Sequence, residues 1–141
     1  MITAEGLANM NNLPRLGIKR AFEEIIQNEL KLKYVQDAFT TGVKKEIQVM
    51  IPEMTEEYTR IQMQSKLGCT LNMTIDIFSE INETGVHKAV YDLISITAIH
   101  PKLREFKINK IYPSSSFTSY NNESSNGQVS AQVVLTLEYL M

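Results

Sequence analysis

Residues 71–79 read Leu71-Asn72-Met73-Thr74-Ile75-Asp76-Ile77-Phe78-Ser79, and this stretch decides the fold. Leu71, Met73, Ile75 and Ile77 alternate with Asn72, Thr74 and Asp76. Period two is the signature of a strand with one face on a core and the other in water. A sheet that is wet on one side is normally antiparallel. Phe78 falls on the polar side, so cover from another element or subunit is expected there. Upstream, Ile61, Met63, Ser65 and Leu67 alternate with Gln62, Gln64 and Lys66, and Gly68 permits a bend or bulge between the two runs. The two runs are expected to form an antiparallel pair.

Downstream, Asn82-Glu83-Thr84-Gly85 offers a loop with a capping residue. Val86, Ala89, Val90, Leu93, Ile94 and Ala98 then recur at helical spacing, and Pro101 predicts an end near His100. Phe106 to Tyr112 alternates as a strand. Residues 113–127 are rich in Ser and Asn, carry the turn signal Asn126-Gly127, and read as a loop. Val129, Ala131, Val133, Leu135, Leu137 and Tyr139 give a final strand that ties down the C-terminal segment.

Upstream of the hairpin, Asn12 can cap and Pro14 suits a first helical turn. Leu16, Phe22, Ile25, Ile26 and Leu30 make one apolar stripe opposite Lys19, Arg20, Glu23, Glu24 and Gln27, which predicts a helix over about 14–31. Residues 32–35 fit either an extension of that helix or a short strand. Thr40-Thr41-Gly42 reads as a break, and Lys45 to Ile51 as a strand stopped by Pro52. Residues 1–12 are polar and without period, and are expected to be a flexible arm. The prediction is a single α+β domain over 13–141, ordered α-β-β-β-α-β-β, with two helices packed on one face of a mostly antiparallel sheet.

Composition agrees. A chain of 141 residues with 43% hydrophobic and 21% charged residues suits one globular domain rather than wholesale disorder. The single cysteine, Cys69, cannot close an internal disulfide and suggests a reducing compartment. No secretory signal or membrane span is read, so glycosylation-type triplets at Asn72, Asn82 and Asn122 are taken as chance. A net charge of −2 implies no strong pull on nucleic acid.

The residues that carry chemistry do not assemble into a catalytic motif. His87 is expected on the exposed side of the second helix and His100 at its C-terminus. Ser114, Ser115 and Ser116 lack the strand–turn–helix setting of a nucleophile elbow. Cys69, His87 and His100 have no metal-ligand spacing, and Glu53, Glu56 and Glu57 read as a polar connection between strands. The glycines are scattered, so no phosphate cradle is read. The methionines, Met50, Met54, Met63 and Met73 among them, read as core fillers. No catalytic, metal or cofactor site is assigned.

Lys102, Arg104, Lys107 and Lys110 form a weak basic patch, read first as a solvated face. With Tyr112, Phe117 and Tyr120 nearby, it supports an alternative expectation of a small nucleic-acid- or ligand-binding module.

The order of elements itself resembles a known family. A helix, a set of strands, the phrase Met73-Thr74-Ile75-Asp76-Ile77-Phe78-Ser79, a helix from Gly85 to His100, a short strand and the terminal strand Val129 to Tyr139 are similar to the tail terminator (tail-completion) proteins of long-tailed phages. They are similar more loosely to neck and tail-tube proteins. The resemblance implies a structural virion protein without enzymatic activity, assembled in the host cytoplasm. It implies a homo-oligomeric ring, typically a hexamer, that caps the tail tube and joins it to the head connector. Partners would be the tube protein and the connector, with no membrane and no specific nucleic acid. On that reading Phe78, Phe117 and Tyr120 are candidate subunit or partner contacts, and 113–127 an arm that orders on assembly.

Overall fold

Pro14 opens the first helix, α1 (Pro14–Glu24), at the position where its missing amide hydrogen costs nothing. The apolar stripe turns Ile18, Ala21 and Phe22 inward. One π-helical turn over Ile25–Glu29 follows, in which Leu30 donates to the Ile25 carbonyl at 3.0 Å. Widening the turn lets the neighbouring Ile25 and Ile26 both lie buried. Lys31 at φ 57° ends the helix in the left-handed region. The helix expected over 14–31 thus runs to Glu29.

This computed structural model describes residues 13–42, 45–61, 66–120 and 128–141. The expected arm at 1–12, the alternating residues 62–65 and the Asn126-Gly127 turn lie outside the described residues. The strands are β1 (Lys33–Tyr34), β2 (Gln48–Arg60), β3 (Leu67–Ser79), β4 (Lys110–Tyr120) and β5 (Val129–Leu140). They form one sheet in the order β1-β2-β3-β5-β4. Only β1 and β2 run parallel; β2–β3, β3–β5 and β4–β5 are antiparallel. The α+β architecture and the order α-β-β-β-α-β-β are therefore as the sequence predicts.

The central strands follow the alternation closely. Cys69, Leu71, Met73, Ile75 and Ile77 of β3 are buried in one core with Val129, Ala131, Val133, Leu135, Leu137 and Tyr139 of β5. α1 and the second helix, α2 (Glu83–Ile94), supply Ile18, Phe22, Val86, Ala89, Val90 and Leu93 to that same core. The opposite face stays polar. Gln132 donates to Asp76 at 3.0 Å and Thr136 to Asn72 at 2.8 Å across β3–β5.

Several expectations about element ends are corrected. Pro52 does not stop β2, which continues to Arg60. The strand is irregular between Met50 and Glu53, and a bulge on an outer strand is where proline is tolerated. Glu53, Glu56 and Glu57 consequently belong to a strand rather than to a connection. Of the run from Ile61 to Leu67, Ile61 follows the end of β2 and its amide donates to the Lys66 carbonyl at 3.3 Å, while Leu67 opens β3. The third strand in the order is instead β1, from the ambiguous stretch 32–35. The strand expected over 106–112 starts only at Lys110, because Arg104–Phe106 forms a 3-10 turn and Lys107 takes φ 52°. In turn β4 runs through Pro113 to Tyr120, so the first half of the expected loop is strand.

α2 is capped at Asn82, whose side chain accepts from the Gly85 amide at 2.9 Å. A Cβ at Gly85 would stand 2.7 Å from Asn82 Nδ2, so glycine leaves room for the cap. Replacing Asn82 by alanine should cost about 1 kcal/mol, read as a shift in the denaturation midpoint with an unchanged slope. The helix ends at Ile94, not near His100, with the Ser95 hydroxyl turned back onto the Tyr91 carbonyl at 2.7 Å.

Candidate functional site

The three aromatic residues singled out from the sequence do not form one patch. Phe78, on the polar face of β3, is half-buried and stacks on Phe39 with ring centroids 5.2 Å apart. The cover expected for it therefore comes from this chain's own 35–42 segment. That segment is tied down further: Gln48 bonds both the Thr40 amide and carbonyl at 2.7 Å, and Glu80 accepts from the Gly42 amide.

Phe117 and Tyr120 lie on β4, which sits at the sheet edge, and are 57% and 47% exposed. They point to opposite faces. Phe117 shares a row with Gln132 on the polar face, whereas Tyr120 shares one with the buried Val129. The Tyr120 hydroxyl lies 2.9 Å from His87 Nε2. A hydrogen bond to Glu83 pushes the Tyr120 hydroxyl above the usual tyrosine range.

The four residues of the basic patch lie in different local structures. Lys102 pairs with Glu24 at 3.2 Å, and Arg104 donates to the Ile99 carbonyl at 3.3 Å. Lys107 occupies the left-handed turn, and Lys110 stands on β4 opposite Glu138.

His100 does not sit at the end of α2. Its Nε2 lies 3.0 Å from Glu29 and its Nδ1 accepts from the Lys102 amide at 3.1 Å. The partners of His87 are Tyr120 and, at 4.0 Å, Glu83. The Ser114 hydroxyl donates to the Val134 carbonyl. Among the described residues no group of three or more His, Cys, Asp or Glu converges on a metal position, and no helix is long and apolar enough to cross a membrane.

Glu56, expected in a polar connection, instead stands at the centre of a side-chain cluster. Glu56 accepts from the Tyr58 hydroxyl at 2.7 Å and from the Tyr139 hydroxyl, with Arg15 of α1 at 3.9 Å. Tyr58, Cys69 and Tyr139 stand side by side in adjacent strands. Burial, then the Glu56 carboxylate, push the Cys69 thiol upward, so it stays protonated and unreactive. A cavity of about 310 Å³ opens beside this cluster, lined mainly by Leu13, Pro14, Leu16, Tyr58 and Met141. The cluster fastens the start of α1 to the far end of the sheet. The signal in the sequence was parity: past the Pro52 bulge, Met54, Glu56 and Tyr58 fall on the core side of β2.

What remains accessible is the pair of sheet edges. Among the described residues β4 is unpaired along one side over 11 residues, and Tyr112 and Phe117 stand exposed on its polar face. On the other side of the sheet β1 pairs only with Gln48 and Val49, leaving β2 from Met50 to Arg60 as a second free edge among the described residues. The described residues thus define a two-layer α+β protein with a polar sheet face and, among them, two bare edges. No family model matches the chain, and no curated protein matches it.

Proposed function

We propose that this protein is a structural assembly component of the tail-terminator kind, which forms a ring that caps a phage tail tube and joins it to the head connector. The observation that carries the reading is the pair of edges, on opposite sides of one sheet, that no described residue pairs with. β2 and β5 run one way, β3 and β4 the other. Rotation about an axis along the strands keeps each strand's direction. The edge β4 of one copy therefore arrives antiparallel to the edge β2 of the next, which is the better paired arrangement. Such a contact is heterologous, and copies joined this way close into a ring when the rotation divides the circle. The resemblance in element order points to a hexamer. Helices would lie on one side of the ring wall and the polar sheet face on the other.

The test is absolute mass by light scattering, with electron micrographs of the same peak. Rings of about six copies that bind the ends of tail tubes are the expected result. A protein that stays monomeric both alone and with isolated tail tubes would sink the reading.

A further inference from the structure

We propose that β4 of one copy pairs with the Met50–Arg60 edge of β2 in the next copy in one defined register: Lys110 opposite Glu57, Tyr112 opposite Thr55, and Phe117 opposite Met50. The inference rests on the ring reading and specifies its interface.

The register follows from closure. A ring generated by rotation alone carries no translation along its axis. With the strands set along that axis, as in the arrangement proposed above, each row of residues that crosses the sheet meets the same row of the neighbouring copy. The internal registers fix those rows. Glu57 pairs with Thr70, Thr70 with Glu138 and Glu138 with Lys110, so Glu57 and Lys110 are the two ends of one row. Thr55, Asn72, Thr136 and Tyr112 form a second row. Met50, Asp76, Gln132 and Phe117 form a third.

Four features favour the edges meeting this way. Lys110 is the only charged residue of β4, and the closure register sets it against a carboxylate on the same polar face. Phe117, more than half exposed in the single chain, meets the Met50 side chain, and Tyr112 meets Thr55. The irregularity of β4 between Pro113 and Ser115 comes within one row of that of β2 between Met50 and Glu53, so the two edges bend in nearly the same place. From Ile111 to Tyr120 the edge carries no charge of the kind that normally prevents strand addition.

The experiment is disulfide trapping in the full chain. Directly opposed residues in neighbouring antiparallel strands are close enough for a disulfide. Cys69 is buried and stays out of the exchange. Mild oxidation of the Thr55→Cys/Tyr112→Cys double variant should give a ladder of covalent multimers, while each single variant gives none. Charge reversal supplies the second measurement: Lys110→Glu and Glu57→Lys should each weaken self-association severalfold, and the two together should restore it. Rings that form without any ladder overturn the pairing and leave the ring reading standing. A ladder belonging to open filaments keeps the pairing and sinks the closed ring. Cross-linked dimers from Tyr112→Cys alone overturn it in favour of β4 pairing with β4 across a two-fold axis. A protein that gives no ladder at millimolar concentration also overturns it.

Discussion

Phe22→Ala should lower the stability of the single chain by about 3–5 kcal/mol, the range found when a fully buried aromatic is cut back to a methyl group. Phe22 is 0% exposed on the inner face of α1. It belongs to the core that α1 shares with β3, β5 and α2. The void it leaves cannot collapse easily, because α1 is held from both sides. Arg15 and the Glu56 cluster anchor its start, and the π turn at Ile25–Glu29 leads directly into β1. The loss should appear as a lower denaturation midpoint with the slope nearly unchanged. Phe117→Ala is the informative comparison. That side chain is 57% exposed at an edge, so its removal should change the stability of an isolated chain by less than about 0.5 kcal/mol. If it shifts self-association instead, the two phenylalanines divide folding from assembly. A cost below about 1 kcal/mol for Phe22→Ala would mean that α1 does not pack as described.

The same contrast between core and edge explains what could be read in the sequence. β3 and β5 were legible because each has one face on the core, so their apolar residues had to alternate. β4 beyond Pro113 was not. Ser114, Ser115, Ser116 and Ser119 reflect a strand that lies outside the core, where no face demands hydrophobic residues and composition imitates a loop. Prolines misled in the same way. Pro52 and Pro113 both sit in outer strands beside irregular registers, where a missing amide hydrogen is tolerated. The second helix was drawn too long because Ala98 kept the spacing, while Ser95 had already turned its hydroxyl onto the backbone. For the surface, Phe117 and Tyr120 stood out among small polar neighbours and are indeed exposed. Phe78 was indistinguishable from them without knowing that Phe39 lies over it. Glu56 was misjudged because its burial depends on a register that shifts at Pro52.

Raising the pH above 10 should unfold the protein steeply, with Tyr34 and Tyr139 supplying the largest part of the effect. Burial first, and then the nearby Glu23 carboxylate, push the Tyr34 hydroxyl up to about 12. Burial, then the hydrogen bond and charge of Glu56, push Tyr139 still higher. In the unfolded chain both ionise near 10. Below that value both states hold the protons, and the stability the neutral tyrosines provide is fully present. Above it the unfolded chain releases two protons that the native state retains, so each further pH unit removes about 1.4 kcal/mol per tyrosine. By pH 12 the two together remove about 5 kcal/mol, comparable with the whole stability of many domains. Circular dichroism and tyrosinate absorbance followed in the same titration should show unfolding coincident with ionisation of the buried pair. Tyr139→Phe should roughly halve the slope, whatever it does to stability at neutral pH. Ionisation of Tyr34 and Tyr139 near 10 in a chain that stays folded would mean that the Glu56 clamp and the Glu23 contact are open in solution. The start of α1 would then be free of the sheet, and the β2 edge beside it would have lost its support.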